Sequence, residues 1–321
     1  MNIFIRVRRL IGDSVKVWLD LLWVMVPIVI GVKIAAELGV IEYLAIPLAP
    51  VMELVGLPAN TGLVWAAAML NNIYSGMIVY VSLPPETPTL SVAQVTVLCL
   101  MMLVAHSLPV EARVVQKCGA GFWSQFFFRM VSGLACGLVF HLIFSGFGLF
   151  QEPSAVLWKG RAADPSWWAW ARGEALNLLM ILAIITVMMA LMRALNHFRI
   201  TDLLIRLLRP VLRLLGIGEN AATITIIGLT MGIAYGGGLI LHEVKSGRLG
   251  RSDVFASVTF MGMSHAIIED TLLMMMLGAT AYGVFWGRLL FSLVVMAILA
   301  RLMGSGFLGA AAWRRRFGMK D

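Results

Sequence analysis

Long apolar stretches constrain this chain more than any other feature of its sequence. A helix that crosses the hydrocarbon core of a bilayer needs about 20 largely apolar residues. Six stretches meet that requirement and are predicted to be spanning helices: 18–39, 92–115, 122–148, 175–196, 253–277 and 284–303. Only 13% of the residues are charged, whereas about a quarter are charged in an ordinary soluble domain. We therefore expect an all-α polytopic membrane protein.

Two further apolar stretches, 58–83 and 219–243, are rich in glycine, asparagine and threonine. We interpret them as re-entrant hairpins, because non-helical backbone at membrane depth is tolerated where protein or a water-filled cavity surrounds it. Unwound hairpin tips can present amide and carbonyl groups to a substrate or an ion. The tip residues that we assign to substrate binding are Asn71, Asn72, Ser75, Thr230, Tyr235 and Gly236.

Basic residues indicate the orientation of the chain, because cytoplasmic loops are enriched in lysine and arginine. The N-terminal segment 1–17 and the tail 304–321 are basic, and the loop 149–173 carries tryptophans that suit the membrane interface. We therefore predict an integral protein of the bacterial inner (cytoplasmic) membrane with both termini in the cytoplasm. The net charge of +8 then reflects topology, so we expect the lipid bilayer, and no nucleic acid, as a partner.

The two halves of the chain match at an offset of roughly 160 residues, which indicates an internal repeat. The first repeat is predicted at 18–148 and the second at 174–303, with 149–173 as the linker. The most informative matched pairs are His106 with His265, Glu111 with Asp270, and Arg129 with Arg288. Each repeat is predicted to contain a spanning helix, an interfacial helix, a re-entrant hairpin and two spanning helices. Three crossings require the second repeat to be inverted, which is a design of secondary transporters.

Two histidines and three acids lie in two clusters inside predicted spans: His106 and Glu111 in the first half, and His265, Glu269 and Asp270 in the second. Ionisable groups at that depth are costly and usually face a cavity or each other. On a continuous helix, His265 and Glu269 would share one face, whereas Pro109 would disrupt the helix between His106 and Glu111. Two imidazoles and three carboxylates can bind a divalent metal, relay protons or hydrogen-bond a polar solute. A purely structural alternative is that each histidine pairs with its neighbouring acid.

We assign these residues as follows. Substrate binding is assigned to His106, His265 and Glu269, and proton or ion coupling to Glu111, Glu269 and Asp270. In the metal alternative all five residues are candidate ligands. The sequence has no Walker A motif, no close cysteine–histidine spacing and no evident nucleophile–base set, so we expect neither an enzyme nor a bound cofactor. The coupling ion would be H⁺ or Na⁺, and a divalent metal remains the alternative.

In these features the chain resembles the nucleoside-recognition, or Gate, domain membrane proteins. The resemblance rests on the paired segments 50–60 and 210–220, the predicted hairpins after them, and the helices that carry His106 and His265. This superfamily includes the gate parts of concentrative nucleoside transporters and ferrous-iron transporters, and the spore maturation membrane proteins. The resemblance implies an interfacial helix, a hairpin and two helices, twice over, and an elevator mechanism in which these elements carry the substrate past a scaffold.

Three functions follow as hypotheses. The first is a secondary, elevator-type transporter of a small polar or cationic solute, for which a nucleoside is one candidate. The second is a divalent-metal permease with histidine and carboxylate ligands. The third is a membrane scaffold or assembly protein that transports nothing. A homo-oligomer would supply the fixed partner surface that a small elevator domain needs.

Overall fold

The structure is a computed structural model, and it describes residues 3–38, 43, 46–83, 89–156, 166–198, 200–214, 217–233, 240, 242–244 and 249–304. Within these ranges the regular structure is helical, apart from one isolated bridge between Ser91 and Pro153. The prediction of an all-α membrane protein is confirmed. Tyr235 and Gly236 lie outside the described residues.

Thirteen α-helices are labelled here in chain order among the described residues. They are α1 Ile3–Glu37, α2 Ala49–Leu54, α3 Thr61–Leu70, α4 Ile73–Val81, α5 Val92–Val104, α6 Leu108–Lys117, α7 Phe122–Gly146, α8 Trp167–His197, α9 Ile200–Leu214, α10 Glu219–Met231, α11 Arg251–Ser264, α12 Glu269–Met276 and α13 Arg288–Gly304. A short 3-10 helix, Ile46–Leu48, precedes α2, and a π-helical turn, Tyr282–Gly287, precedes α13.

Five segments in the described part of the chain are long and apolar enough to cross a membrane: Arg8–Gly31, Val92–Lys117, Phe122–Gly146, Trp167–Leu191 and Tyr282–Leu302. Five of the six predicted spans therefore have a counterpart. The first helix begins at Ile3, earlier than predicted, so it runs through the basic segment assigned to the N-terminus. Arginine and lysine are good helix formers, and the helix continues through them.

The sixth predicted span, 253–277, is not one continuous helix. It divides into α11 and α12, and Ala266 between them has a positive φ of 47°. The prediction that His265 and Glu269 share a helical face is therefore wrong, because α11 ends at Ser264 and Glu269 begins α12. The break separates two short helices of 14 and 8 residues, and each alone is too short to cross a hydrocarbon core.

A matching break separates α5 from α6, where Ser107 has a φ of 49°. Pro109 does not cause this break from within a helix. Instead it occupies the first turn of α6. Backbone N–H groups in the first turn have no intrahelical partner, so a proline, which lacks this group, is tolerated there. The helix is therefore interrupted between His106 and Glu111, as predicted, but the strained residue is Ser107 and the proline lies at the start of the resumed helix.

The predicted first hairpin consists of two short helices, α3 and α4, that pack against each other. Helix α3 has 10 residues and is therefore about 15 Å long, roughly half the thickness of a hydrocarbon core. The turn between the two helices lies at Asn71 and Asn72, as predicted. In the second stretch, α10 ends before Gly232, whose φ is 94°.

Burial separates the central helix from the peripheral ones. Helix α5 is buried on all sides, as expected for a helix that is hydrophobic around its whole circumference. Helices α7 and α8 instead expose large apolar side chains such as Trp123, Val131, Leu179 and Val187, which suit contact with lipid. The break after α5 therefore lies in the interior of the molecule.

Relieving the strained backbone at one break is expected to stabilise the protein. A left-handed conformation costs a residue with a Cβ about 1–2 kcal/mol, and glycine costs about 0.5–1 kcal/mol through its larger loss of conformational entropy. Ala266→Gly should therefore raise the free energy of unfolding by about 0.5–1 kcal/mol, which a thermal scan in detergent can measure. Ala105→Gly is the matched control, because Ala105 is buried and has an ordinary φ of −132°. Ala105→Gly should lower the free energy of unfolding. An equal decrease in both variants would show that the backbone at Ala266 is not strained.

Candidate functional site

The two helix breaks bring His106 and His265 together in the interior. Both residues are buried, with 5% and 4% of their surface exposed. Their Nε2 atoms lie 3.0 Å apart, and the ring centroids are 4.8 Å apart. The two histidines are 159 residues apart in sequence, so this contact joins the two predicted repeats.

Backbone carbonyl groups determine which nitrogen of each imidazole carries the proton. His106 Nδ1 lies 3.0 Å from the carbonyl oxygen of Met102, and His265 Nδ1 lies 2.9 Å from that of Met261. A carbonyl oxygen only accepts hydrogen bonds, so each Nδ1 must be the donor. In the neutral imidazoles both Nε2 atoms therefore present lone pairs, and these lone pairs face each other across 3.0 Å.

Glu111 lies against both histidines. Its Oε1 atom is 3.2 Å from Nε2 of His265 and 3.6 Å from Nε2 of His106. Its Oε2 atom accepts a hydrogen bond from Arg129. Asp270 is also buried, with 7% of its surface exposed, and its Oδ2 atom has no hydrogen-bond partner. The nearest cation to that oxygen is Arg288, whose Nη1 lies 3.7 Å away.

Two buried arginines hold the ends of the broken helices. Arg129 Nε donates to the carbonyl of Val104 at 3.0 Å, and Arg288 Nε donates to that of Met263 at 2.8 Å. Arg288 Nη2 also donates to the carbonyl of His265 at 2.8 Å. The last carbonyls of a helix lack intrahelical donors, so buried helix ends need partners of this kind. The arginines were matched in the sequence repeat but were not assigned to the site, and that match was the signal that could have identified them.

The described contacts recur at one spacing. A separation of 159 residues relates the two arginine donors, Arg129 and Arg288, and also their acceptors, Val104 and Met263. The same separation relates the two strained residues, Ser107 and Ala266. The same spacing relates His106 to His265 and Glu111 to Asp270. The two halves of the cluster are therefore built from equivalent positions. They differ in detail, because Glu111 contacts both imidazoles whereas the Oδ2 atom of Asp270 has no hydrogen bond.

The predicted hairpin residues Asn71, Asn72 and Ser75 lie together. Asn72 caps α4 by accepting a hydrogen bond from the Ser75 amide at 2.9 Å, and Asn71 donates to the Ser75 hydroxyl. The Ser107 amide donates to the carbonyl of Ala68 at 3.0 Å, which joins the end of α3 to the break beside His106. These side chains thus stabilise the turn, while the backbone connects it to the histidine cluster.

Thr230 has a local role. Its buried hydroxyl donates to the carbonyls of Ile226 and Ile227 within its own helix, an arrangement typical of a threonine inside a helix. The Ile267 amide donates to the carbonyl of Leu229 at 2.9 Å, so α10 contacts the second break as α3 contacts the first. Thr230 itself is not brought into the cluster by these contacts.

Glu269 begins α12, where a negative charge is favoured by the helix dipole. It is less buried than Asp270. Four of the five predicted ionisable residues, His106, Glu111, His265 and Asp270, therefore form one cluster, and Glu269 directly precedes Asp270 in the chain.

Comparison with known proteins agrees with the resemblance inferred from sequence. Residues 178–281 match the family model Gate, described as nucleoside recognition. An uncharacterized membrane protein of Bacillus subtilis (strain 168), YvoD, is 27% identical over 260 residues, which cover 79% of this chain and 81% of the relative. No solved structure matches the chain.

Proposed function

We propose that this membrane protein, which carries a Gate domain of the nucleoside-recognition family in residues 178–281, is a secondary transporter of a small polar or cationic solute. One observation carries the proposal: two imidazoles, two carboxylates and two guanidinium groups are buried where two helices are broken. Ionisable groups inside a membrane protein are costly and usually mark a pathway for a substrate or an ion.

The location of the cluster supports a transport site. His106 lies between the two ends of the apolar segment Val92–Lys117, so roughly 15–20 Å of helix separates it from either end. Transporters bind their solutes near the bilayer midplane at discontinuous helices, whose free amide and carbonyl groups contact the cargo. The substrate-binding residues in this proposal are His106 and His265, and the turn at Asn71, Asn72 and Ser75 adjoins them.

The equivalent contacts in the two halves suggest how access could alternate. We propose that the repeats are inverted in the membrane of a bacterial cell, with both termini in the cytoplasm, and that the hairpins and the helices after them move as an elevator. Glu111 now contacts both histidines while Asp270 does not. In the opposite-facing state the two acids would exchange these roles, and movement of H⁺ or Na⁺ would be coupled through Glu111, Asp270 and Glu269.

Asp270→Asn tests this proposal in proteoliposomes that contain the purified full chain. We expect uptake of the transported member of a panel of labelled uridine, adenosine, Zn²⁺ and Mn²⁺ to fall at least about tenfold, because an interaction with a charged group is worth about 1.5–3 kcal/mol. Glu269→Gln should also reduce uptake. Glu53→Gln is the control, because Glu53 is an exposed acid on a different helix, α2.

The uptake measurement also separates the transporter from the scaffold hypothesis. Normal uptake in both Asp270→Asn and Glu269→Gln would remove these acids from the mechanism. A folded wild-type protein that moves no member of the panel, and whose stability does not respond to any of them, would instead favour a scaffold in which the buried charges only pair with each other. Thermal unfolding of each variant in detergent shows whether a loss of uptake reflects a loss of fold.

A further inference from the structure

We propose that His106, His265, Glu111 and Asp270 form a binding site for one divalent transition-metal ion. The inference deepens the proposed function and rests on it, because the ion would be the cationic solute that the protein carries. Imidazole and carboxylate together are ligands for ions of the Zn²⁺, Fe²⁺ and Mn²⁺ type, whereas Mg²⁺ prefers oxygen ligands alone.

Three electron-pair donors converge on one point in the cluster. Hydrogen bonds from Nδ1 to backbone carbonyls leave a lone pair on Nε2 of both His106 and His265. Oε1 of Glu111 faces the same space. These three acceptor atoms repel one another when no proton lies between them. A cation placed between them would attract all three and remove this repulsion.

The distances fit a metal ion. The two Nε2 atoms and Oε1 of Glu111 form a triangle with sides of 3.0, 3.2 and 3.6 Å. Zinc bonds to nitrogen and oxygen measure about 2.0–2.2 Å, so neighbouring ligands in a tetrahedral site lie about 3.3–3.6 Å apart. The three atoms therefore stand close to the positions that three ligands of a tetrahedral ion would occupy, and shifts of a few tenths of an ångström would complete the geometry.

Asp270 supplies a fourth ligand. Single ligand atoms of His106, His265 and Asp270 lie within 4.8 Å of one another. The Oδ2 atom of Asp270 is buried and has no hydrogen-bond partner, and such an oxygen is costly unless something binds it. A modest movement of the Asp270 side chain would bring it to the ion. Three ligands in place and a fourth that must move suit a site that has to release its ion.

The surroundings of the ligands support the same assignment. Metal-binding histidines usually donate their other ring N–H to a carbonyl or carboxylate, which fixes the orientation of the ring. Both histidines do so here, through Met102 and Met261. Arg129 likewise donates a hydrogen bond to the second oxygen of Glu111. The positive charges of Arg129 and Arg288 balance the negative charges of Glu111 and Asp270. The ion would therefore bind less tightly than in a permanently occupied structural site.

Calorimetric titration of the detergent-purified full chain with Zn²⁺ tests the site. We expect one ion per chain, and a Zn²⁺ affinity that is at least about tenfold lower in His106→Gln and in His265→Gln. Loss of a residue that only hydrogen-bonds to a metal ligand already lowers metal affinity by about tenfold or more, so loss of a ligand should cost at least as much. His242→Gln controls for adventitious surface binding, because His242 is an exposed histidine, and it should bind as the wild type does. A large excess of Mg²⁺ should not displace Zn²⁺.

Unchanged affinity in both cluster variants, or no binding to the wild type, would overturn the proposed site. If the variants fail to fold, X-ray absorption of the zinc-loaded wild type still decides, because a spectrum without two imidazole ligands would overturn the assignment. Zinc uptake by proteoliposomes distinguishes metal binding from metal transport. Binding without uptake would overturn the assignment of the metal as cargo, and uptake of another solute without zinc binding would overturn the metal site while leaving the transporter.

Discussion

Replacing Arg288 by methionine is expected to lower the free energy of unfolding by about 3–5 kcal/mol, the cost of removing one partner from a buried charged network. Arg288 is completely buried, and its guanidinium group donates to the carbonyls of Met263, His265 and Leu103. Methionine fills a similar volume but donates no hydrogen bond. Three carbonyls would then lose their donor in the interior, and the buried carboxylate of Asp270 would lose the guanidinium charge 3.7 Å away.

Thermal unfolding in detergent measures the effect of Arg288→Met against Arg301→Met. Arg301 lies on the same helix, α13, but is exposed. We expect a large fall in the melting temperature for Arg288→Met and little change for Arg301→Met. If both variants melted like the wild type, the arginine would not hold the broken helix, and the account of the site would lose its structural basis.

Gly133→Leu is expected to destabilise the protein by about 3 kcal/mol, at the upper end of the usual cost of overpacking. A Cβ atom at Gly133 would lie 2.9 Å from the Cβ of Ala105 and 3.3 Å from the carbonyl oxygen of Met101. Met101 belongs to the last turn of α5, and Ala105 follows that helix directly before His106. Leucine would therefore separate α7 from α5 and displace the histidine cluster.

Gly146→Leu is the matched control in the same helix, since a Cβ at Gly146 would meet nothing within 4 Å. Leucine has the higher helix propensity, so this variant should melt at or above the wild-type temperature. The Gly133 variant should in addition lose zinc affinity, because its effect reaches His106 through Ala105. Equal melting temperatures for the two variants would show that α7 and α5 are not closely packed at this point.

Several elements of the fold were predictable because hydrophobicity is a property of each residue and adds along a helix. The spans in the regions 92–115 and 122–148 required only composition and length. Asn71 and Asn72 were recognisable as a helix break, since asparagine is uncommon within an apolar run and favours caps and turns. The match of His106 with His265 and of Glu111 with Asp270 identified the residues that could carry chemistry.

The errors share one physical cause. A break in an apolar stretch depends on the partners available to its free amides and carbonyls, and these partners come from distant parts of the chain. Residues 265–268 can leave the helix because Arg288 donates to the carbonyls of Met263 and His265, and the carbonyl of Leu229 accepts a hydrogen bond from the Ile267 amide. Without knowledge of those partners, 253–277 reads as one continuous span, and His265 and Glu269 appear to share a face.

The sequence by itself therefore determined that this protein is a helical membrane protein, approximately where its helices lie, and which buried ionisable residues are exceptional. The tertiary structure alone decided that the two imidazoles meet with their lone pairs facing each other and that Glu111 lies against both. The physical reason is that burial follows from local composition, whereas a contact between atoms 159 residues apart depends on how the broken helices pack.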